Sequence, residues 1–200
     1  MQDNDYPVQL KALDDAPPTL FVRGHIIKIE KSLAIVGTRN PGDEARNFTQ
    51  NLSTHLAERG YTIISGLAFG IDSAAHFGAI IQPEGRTIAV LGCGVLNIYP
   101  AEHKRLAEKI MVDGFVVSEI NPGNTTSPAS LVARNRIITG LSDGVIVVET
   151  TADGGAMYAA RFAGQQGRPV YTVDSEATGN QALIAAGATV LTKDFGLLPF

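Results

Sequence analysis

Cysteine is almost missing from this chain. Cys93 is the single one among 200 residues, which excludes an internal disulfide framework and removes one reason to expect secretion. No uninterrupted apolar run reaches the roughly 18 residues that a membrane span needs. The opening Met1-Gln2-Asp3-Asn4-Asp5 lacks the basic-then-apolar pattern of a signal peptide. An excess of positive charge is missing too. Sixteen Lys and Arg face twenty Asp and Glu, for a formal net charge of −4, so any site for a polyanion has to be a local patch. Paired metal-ligand spacing is also lacking: His25, His55, His76 and His103 are scattered over separate segments, and neither a metal nor a cofactor is expected. These absences together predict a cytoplasmic protein.

What is present is an alternation of short apolar runs and amphipathic stretches. The apolar share of 44% is ordinary for a globular domain of this length. Residues 1–15 are polar and are expected to be a loosely ordered lead, ending in the turn-rich Asp14-Asp15-Ala16-Pro17-Pro18. Strands are predicted over 20–23, 32–36, 61–65, 87–91, 115–118, 145–149, 169–173 and 189–191. Helices are predicted over 43–59, 72–81, 128–138, 156–166 and 180–186, and another opens at Pro100 as first helical residue. Near-continuous Val and Ile runs separated by helices mean a parallel sheet covered on both faces. The expected architecture is one α/β domain over 16–200, a three-layer, doubly wound, extended Rossmann-like fold with a mainly parallel sheet of about seven strands.

Four glycine-rich turns follow predicted strands. Gly37-Thr38-Arg39-Asn40-Pro41-Gly42 stands where doubly wound folds turn backbone amides and a helix N-terminus toward a phosphate. Its spacing is not G-x-G-x-x-G and no acid ends the next strand, so a dinucleotide is disfavoured. Ser65, Gly66 and Gly70 frame a second turn, in which Asp72 or Ser73 caps the following helix. His76 lies one helical turn past Asp72, close enough for a hydrogen bond, although a satisfied core histidine is the commoner outcome. Gly92-Cys93-Gly94 is the third turn, with Cys93 read as a small buried residue. Tyr99-Pro100 with Lys104 and Arg105 then sets an aromatic ring beside two cations, the ingredients of single-strand binding.

Ala133-Arg134-Asn135-Arg136-Ile137-Ile138-Thr139-Gly140-Leu141-Ser142 is the most telling stretch. Two arginines and an amide lead into a buried strand, and fixed guanidinium groups at the carboxyl edge of such a sheet grip phosphates. Spaced i, i+2 on a helix, Arg134 and Arg136 point to different sides. Glu149 ends the strand, ready to pair with an arginine or contact a ribose, and the amides of Gly154 and Gly155 form the fourth turn.

Read in order, these segments resemble the DprA/Smf family of DNA-processing proteins. The resemblance runs from Tyr6-Pro7 to about Leu198. It rests on Ala16-Pro17-Pro18, Val36-Gly37-Thr38-Arg39, residues 65–78, Gly92-Cys93-Gly94 with Tyr99-Pro100, the Arg134-Asn135-Arg136 motif and Gly179-Asn180. It implies a Rossmann-like domain that binds single-stranded DNA, works as a homodimer and loads RecA recombinase during natural transformation, without catalysis of its own. By position, the resemblance implies that Arg39 belongs to a DNA-contacting turn and that Lys104, Arg105, Arg134 and Arg136 lie in the basic pocket of the family pattern. The helical and winged-helix domains that many relatives add have no counterpart in these 200 residues. The runner-up is a Rossmann-like nucleotide sensor or a nucleoside-monophosphate phosphoribohydrolase. Glu149 and Asp153-Gly154-Gly155 fit it loosely, but Gly155 is followed by Ala156-Met157-Tyr158, without the acid such enzymes carry.

Overall fold

The computed structural model describes residues 6–192 and 194. Its chain order is α1 (Val8–Lys11), β1 (Phe21–Gly24), β2 (Ser32–Val36), α2 (Asp43–Glu58), β3 (Thr62–Ser65), α3 (Ile71–Ile80) and β4 (Thr87–Val90). A 3-10 turn (Ala101–His103) precedes α4 (Lys104–Asp113), β5 (Phe115–Ser118), α5 (Pro128–Ala133) and α6 (Asn135–Gly140). Then come β6 (Gly144–Val147), α7 (Ala156–Gln165), β7 (Val170–Val173), α8 (Thr178–Ala185) and β8 (Thr189–Leu191).

The strands form one sheet in the order β1-β5-β4-β3-β2-β6-β7-β8. Every pairing is parallel except the edge pair β1–β5, with Phe21 opposite Ser118. From β2 the chain steps outward through β3, β4 and β5, then returns so that β6 pairs with the free side of β2, Val36 beside Val147. The winding direction therefore reverses between β2 and β6, and loops leaving the carboxyl ends of those strands open a crevice there. Among the described residues the sheet has eight strands where about seven were expected in it: the antiparallel edge β1 and the short β8, both anticipated as strands, join it as well.

Both faces of the sheet are apolar because alternate side chains point opposite ways. Ala34, Val36, Val145 and Val147 pack on one face with Ile137, Ile138 and the alanines of α7. Leu33, Ile35, Ile146 and Val148 pack on the other with Leu52 and Leu56 of α2 and Ile71 and Ala75 of α3. Helices on both faces make the three-layer, doubly wound arrangement predicted from the Val and Ile runs.

Three local expectations need correction. The lead is held from Tyr6 on: Leu10 is fully buried among Ile137 and Ile138, and the Tyr6 hydroxyl donates to the Pro17 carbonyl at 2.7 Å. The space a Cβ would need at Gly140 is filled by Leu10 and Leu13. Residues 1–5, the rest of that lead, and the end of the resemblance at Leu198 lie outside the described residues. Pro100 is not the first residue of a helix; its extended ψ of 154° places it before the 3-10 turn, and α4 starts at Lys104. The helix expected over 128–138 is two, α5 and α6. The Asn135 side-chain amide takes the carbonyls of Leu131 (3.4 Å) and Val132 (3.1 Å), so a side chain competes with the backbone ladder at the junction.

Candidate functional site

A cleft of about 660 Å³ occupies the reversal point between β2 and β6. The β2–α2 turn supplies Gly37, Thr38 and Arg39, and the β6–α7 turn supplies Thr150, Thr151, Gly154 and Gly155. The third wall is the segment around α5 and the start of α6, with Thr126, Leu131, Arg134 and Asn135.

The β2–α2 turn is clamped from below. The Thr38 amide donates to the Glu149 carbonyl at 2.7 Å, and the Ile71 amide donates to the Thr38 carbonyl at 3.1 Å. A Cβ at Gly37 would come within 2.9 Å of that same Glu149 carbonyl, so glycine is what lets the turn settle on β6. Arg39 is left exposed beyond it, and its guanidinium has no hydrogen bond or ion pair among the described residues. Arg39 also lines a narrow annex of the cleft with Phe69, Tyr99, Pro100 and Leu131. Phe69 and Tyr99 are 42% and 43% exposed, and the Phe69 ring meets the His103 ring edge-on at 4.7 Å.

Arg134 behaves differently. Only 7% of it is exposed. Its guanidinium donates to the carbonyls of Gly66 and, at 2.9 Å, Val90, and lies 3.7 Å from Asp72 Oδ2. That carboxylate oxygen accepts from the amides of Gly66 (3.2 Å) and Ala68 (3.3 Å). Burial pushes the Asp72 carboxyl up, and Arg134 with the amides pulls against it. Burial likewise lowers Arg134, Asp72 opposes, and the positive charge of Arg39 adds to the lowering. One guanidinium thus knits the ends of β3 and β4 to α6, and the face of Gly66 must be bare because the guanidinium packs where a Cβ would stand. Leu67, buried beside it, adopts the left-handed region with φ 62°, a costly conformation held by its surroundings.

Several predicted site residues do other work. Arg136 leaves the cleft and makes a forked pair with Glu119, both contacts 2.7 Å, plus a 3.1 Å contact with Asp15. Its direction follows from the i, i+2 spacing, which sends it across from Arg134. The Glu149 side chain lines a separate groove of about 330 Å³ with Glu44, Phe48, Asp174 and Glu176, and pairs with no arginine among the described residues. Gly92 and Gly94 do not line the cleft; they admit the backbones of Leu131 and of Asn121 and Pro122. Ser65 is fully buried, its hydroxyl donating to the Ile35 carbonyl at 2.6 Å. Gly70, with φ 76°, sits against the carbonyls of Thr38 and Arg39 as a turn residue. Lys104 and Arg105 are exposed at the start of α4 and line neither cleft nor annex. The structure therefore brings Gly37, Thr38, Arg39, Arg134, Asn135, Gly154 and Gly155 together, with Gly66 at the annex.

His76 does not meet Asp72. It is fully buried, its Nδ1 is 2.7 Å from Thr87 Oγ1, and burial holds its pKa at about 3. Burial likewise pushes the Cys93 thiol up. Phe69 was not singled out by sequence reading; an aromatic between Gly66 and Gly70 was the available signal.

The chain matches the family model for DNA recombination-mediator protein A over residues 1–198. It belongs to the DprA/Smf family. It is 38% identical to the Smf protein of Synechocystis over 98% of its length and 37% identical to the DNA processing protein DprA of Bacillus subtilis over 96%. The chain spans 52% and 66% of those two relatives. The X-ray structure of DprA from Streptococcus pneumoniae superposes with a TM-score of 0.90 at 35% identity, covering 99% of this chain and 72% of that one. The Helicobacter pylori DNA processing protein A, whose structure concerns its single-stranded DNA binding mode, superposes at 0.86 with 29% identity, covering 92% and 86%. A molybdenum cofactor binding protein from Rippkaea orientalis, at 18% identity and TM-score 0.59, shares the fold alone.

Proposed function

We propose that this domain binds single-stranded DNA along the cleft and its annex. The observation that carries this reading is the exposed, unpaired guanidinium of Arg39 beside the exposed rings of Tyr99 and Phe69, at the mouth of a glycine-lined crevice. A guanidinium grips phosphate, and an aromatic face accepts any base at about 1–3 kcal/mol per stack, so the pairing suits a strand whose bases are unpaired. Lys104 and Arg105, outside the cleft, extend the positive flank toward a longer strand. The DNA-binding mode described for the Helicobacter pylori relative supports the same reading. The proposed role is holding a strand without chemistry on it, as the family resemblance implies.

The finer role is the one implied by family membership. The domain works in the cytoplasm as a homodimer, protects incoming strands during transformation and hands them to RecA. Fluorescence anisotropy of labelled oligo-dT tests the binding. Salt-sensitive binding that duplex fails to compete is expected, weakened in Arg39→Ala; equal binding by wild type and Arg39→Ala refutes this site. Sedimentation equilibrium reads the dimer, and co-purification with RecA on single strands reads the handover.

A further inference from the structure

The two exposed rings of the annex stand on different segments. Phe69 belongs to the 66–70 loop between β3 and α3, and Tyr99 to the loop that enters the 3-10 turn. His103, the last residue of that turn, reaches from one segment to the other. Its Nδ1 lies 2.7 Å from the Leu67 carbonyl, and its ring meets the Phe69 ring at 4.7 Å between centroids and 61° between planes. A carbonyl only accepts, so Nδ1 carries the hydrogen and donates it. The backbone it holds is one that needs holding, since Leu67 sits at φ 62°. The Asp72 carboxylate grips the same loop through the Gly66 and Ala68 amides. The His103 amide in turn closes its own turn on the Pro100 carbonyl at 3.0 Å.

We propose that His103 is a positioning residue for strand recognition, fixing Phe69 as a stacking surface for a base. The inference rests on the single-strand reading and deepens it. An exposed ring free to turn is ordered only when a base arrives, at a cost to affinity, and a ring already held spares that cost. Aromatic pairs at this separation favour the edge-to-face arrangement seen here. Asparagine in place of His103 supplies the donor to Leu67 without a ring, and phenylalanine a ring without the donor; histidine supplies both. His103 itself lines neither cleft nor annex, so its effect on a base passes through Phe69. One short turn therefore presents Tyr99 directly and Phe69 through His103.

The test is a double-mutant cycle between His103→Ala and Phe69→Ala, read with labelled oligo-dT and an abasic oligomer of equal length at one salt concentration. His103→Ala is expected to weaken oligo-dT binding by about fivefold, at the low end of what a lost stack costs, and to leave the abasic oligomer unchanged. In the Phe69→Ala background the same change is expected to add nothing, because the ring it positions is gone. His103→Asn keeps the donor to Leu67 and guards against a variant that does not fold. It is expected to lose about twofold in oligo-dT affinity, a loss again abolished without Phe69. A loss of the same size with and without Phe69, or on both oligomers, overturns the positioning role while strand binding stands. Unchanged affinity in both His103 variants overturns it too, as does unchanged affinity in Phe69→Ala. Failure of the wild type to bind oligo-dT sinks the single-strand reading itself, and the positioning role with it.

Discussion

Two hollows open at the same edge of the sheet, one on each side of the end of β6. The cleft holds Arg39, Arg134, threonines and bare glycine backbone; the groove behind it holds Glu44, Glu149, Asp174 and Glu176 around Phe48, Val148 and Val173. The chain passes from one to the other between Glu149 and Thr150. A place at the carboxyl edge of a doubly wound sheet therefore does not by itself specify a ligand. The side chains beside it do, and here one hollow has two arginines, one of them paired with Asp72, while the other has four carboxylates.

The strongest way to break that contrast is to remove the cleft's buried cation. Arg134→Met leaves Asp72 buried and unpaired and is expected to cost about 3–5 kcal/mol in urea unfolding, whereas Glu149→Gln in the groove leaves stability unchanged. Next, Tyr99→Ala at the mouth is expected to weaken oligo-dT binding by about 1–3 kcal/mol without shifting the melting temperature. A third effect appears with acid. The folded pKa of His76, about 3, lies below its ordinary 6.5, so between those values the unfolded chain binds a proton that the folded protein refuses. Stability is full above 6.5 and falls as the pH drops toward 3, with a slope approaching about 1.4 kcal/mol per pH unit. Asp72, pushed up by burial, works with the opposite sign, its contribution being lost as pH rises through its folded value. Denaturation of wild type and His76→Gln at about pH 7 and about pH 5 reads the difference, and the variant is expected to show the flatter profile.

Arg39→Ala is expected to weaken single-strand binding by about tenfold and to reduce the salt slope by about 0.7. The smallest effect sharpens the contrast. Neutralising Glu149 and Glu176 together is expected to leave DNA affinity within about twofold or slightly tighter, because their charges lie in the other hollow. A loss comparable to that of Arg39→Ala would show that the strand crosses both hollows.

Much of this was legible in the chain. Apolar runs such as Ser32–Val36 and glycine turns such as 37–42 mark the strands and a crevice at their carboxyl edge, and the family resemblance assigns Arg39 to a DNA-contacting turn. Contacts between distant segments were not legible. Gly66 reads as a phosphate turn until the guanidinium of Arg134, 68 residues later, is seen to occupy its face. Glu149 missed the cleft by a single position, since the chain changes hollows between it and Thr150. Arg136 was assigned by motif, but Glu119 and Asp15, on two remote segments, claim it.

The Arg134 knot also bears on how fast a ligand is caught. With Gly66, Val90 and Asp72 tied to one immobile group, the cleft has its shape before anything enters. On the proposed reading an arriving strand need not wait for a loop to close, so its association would be set by encounter and by salt, and selectivity among ligands by how slowly each one leaves.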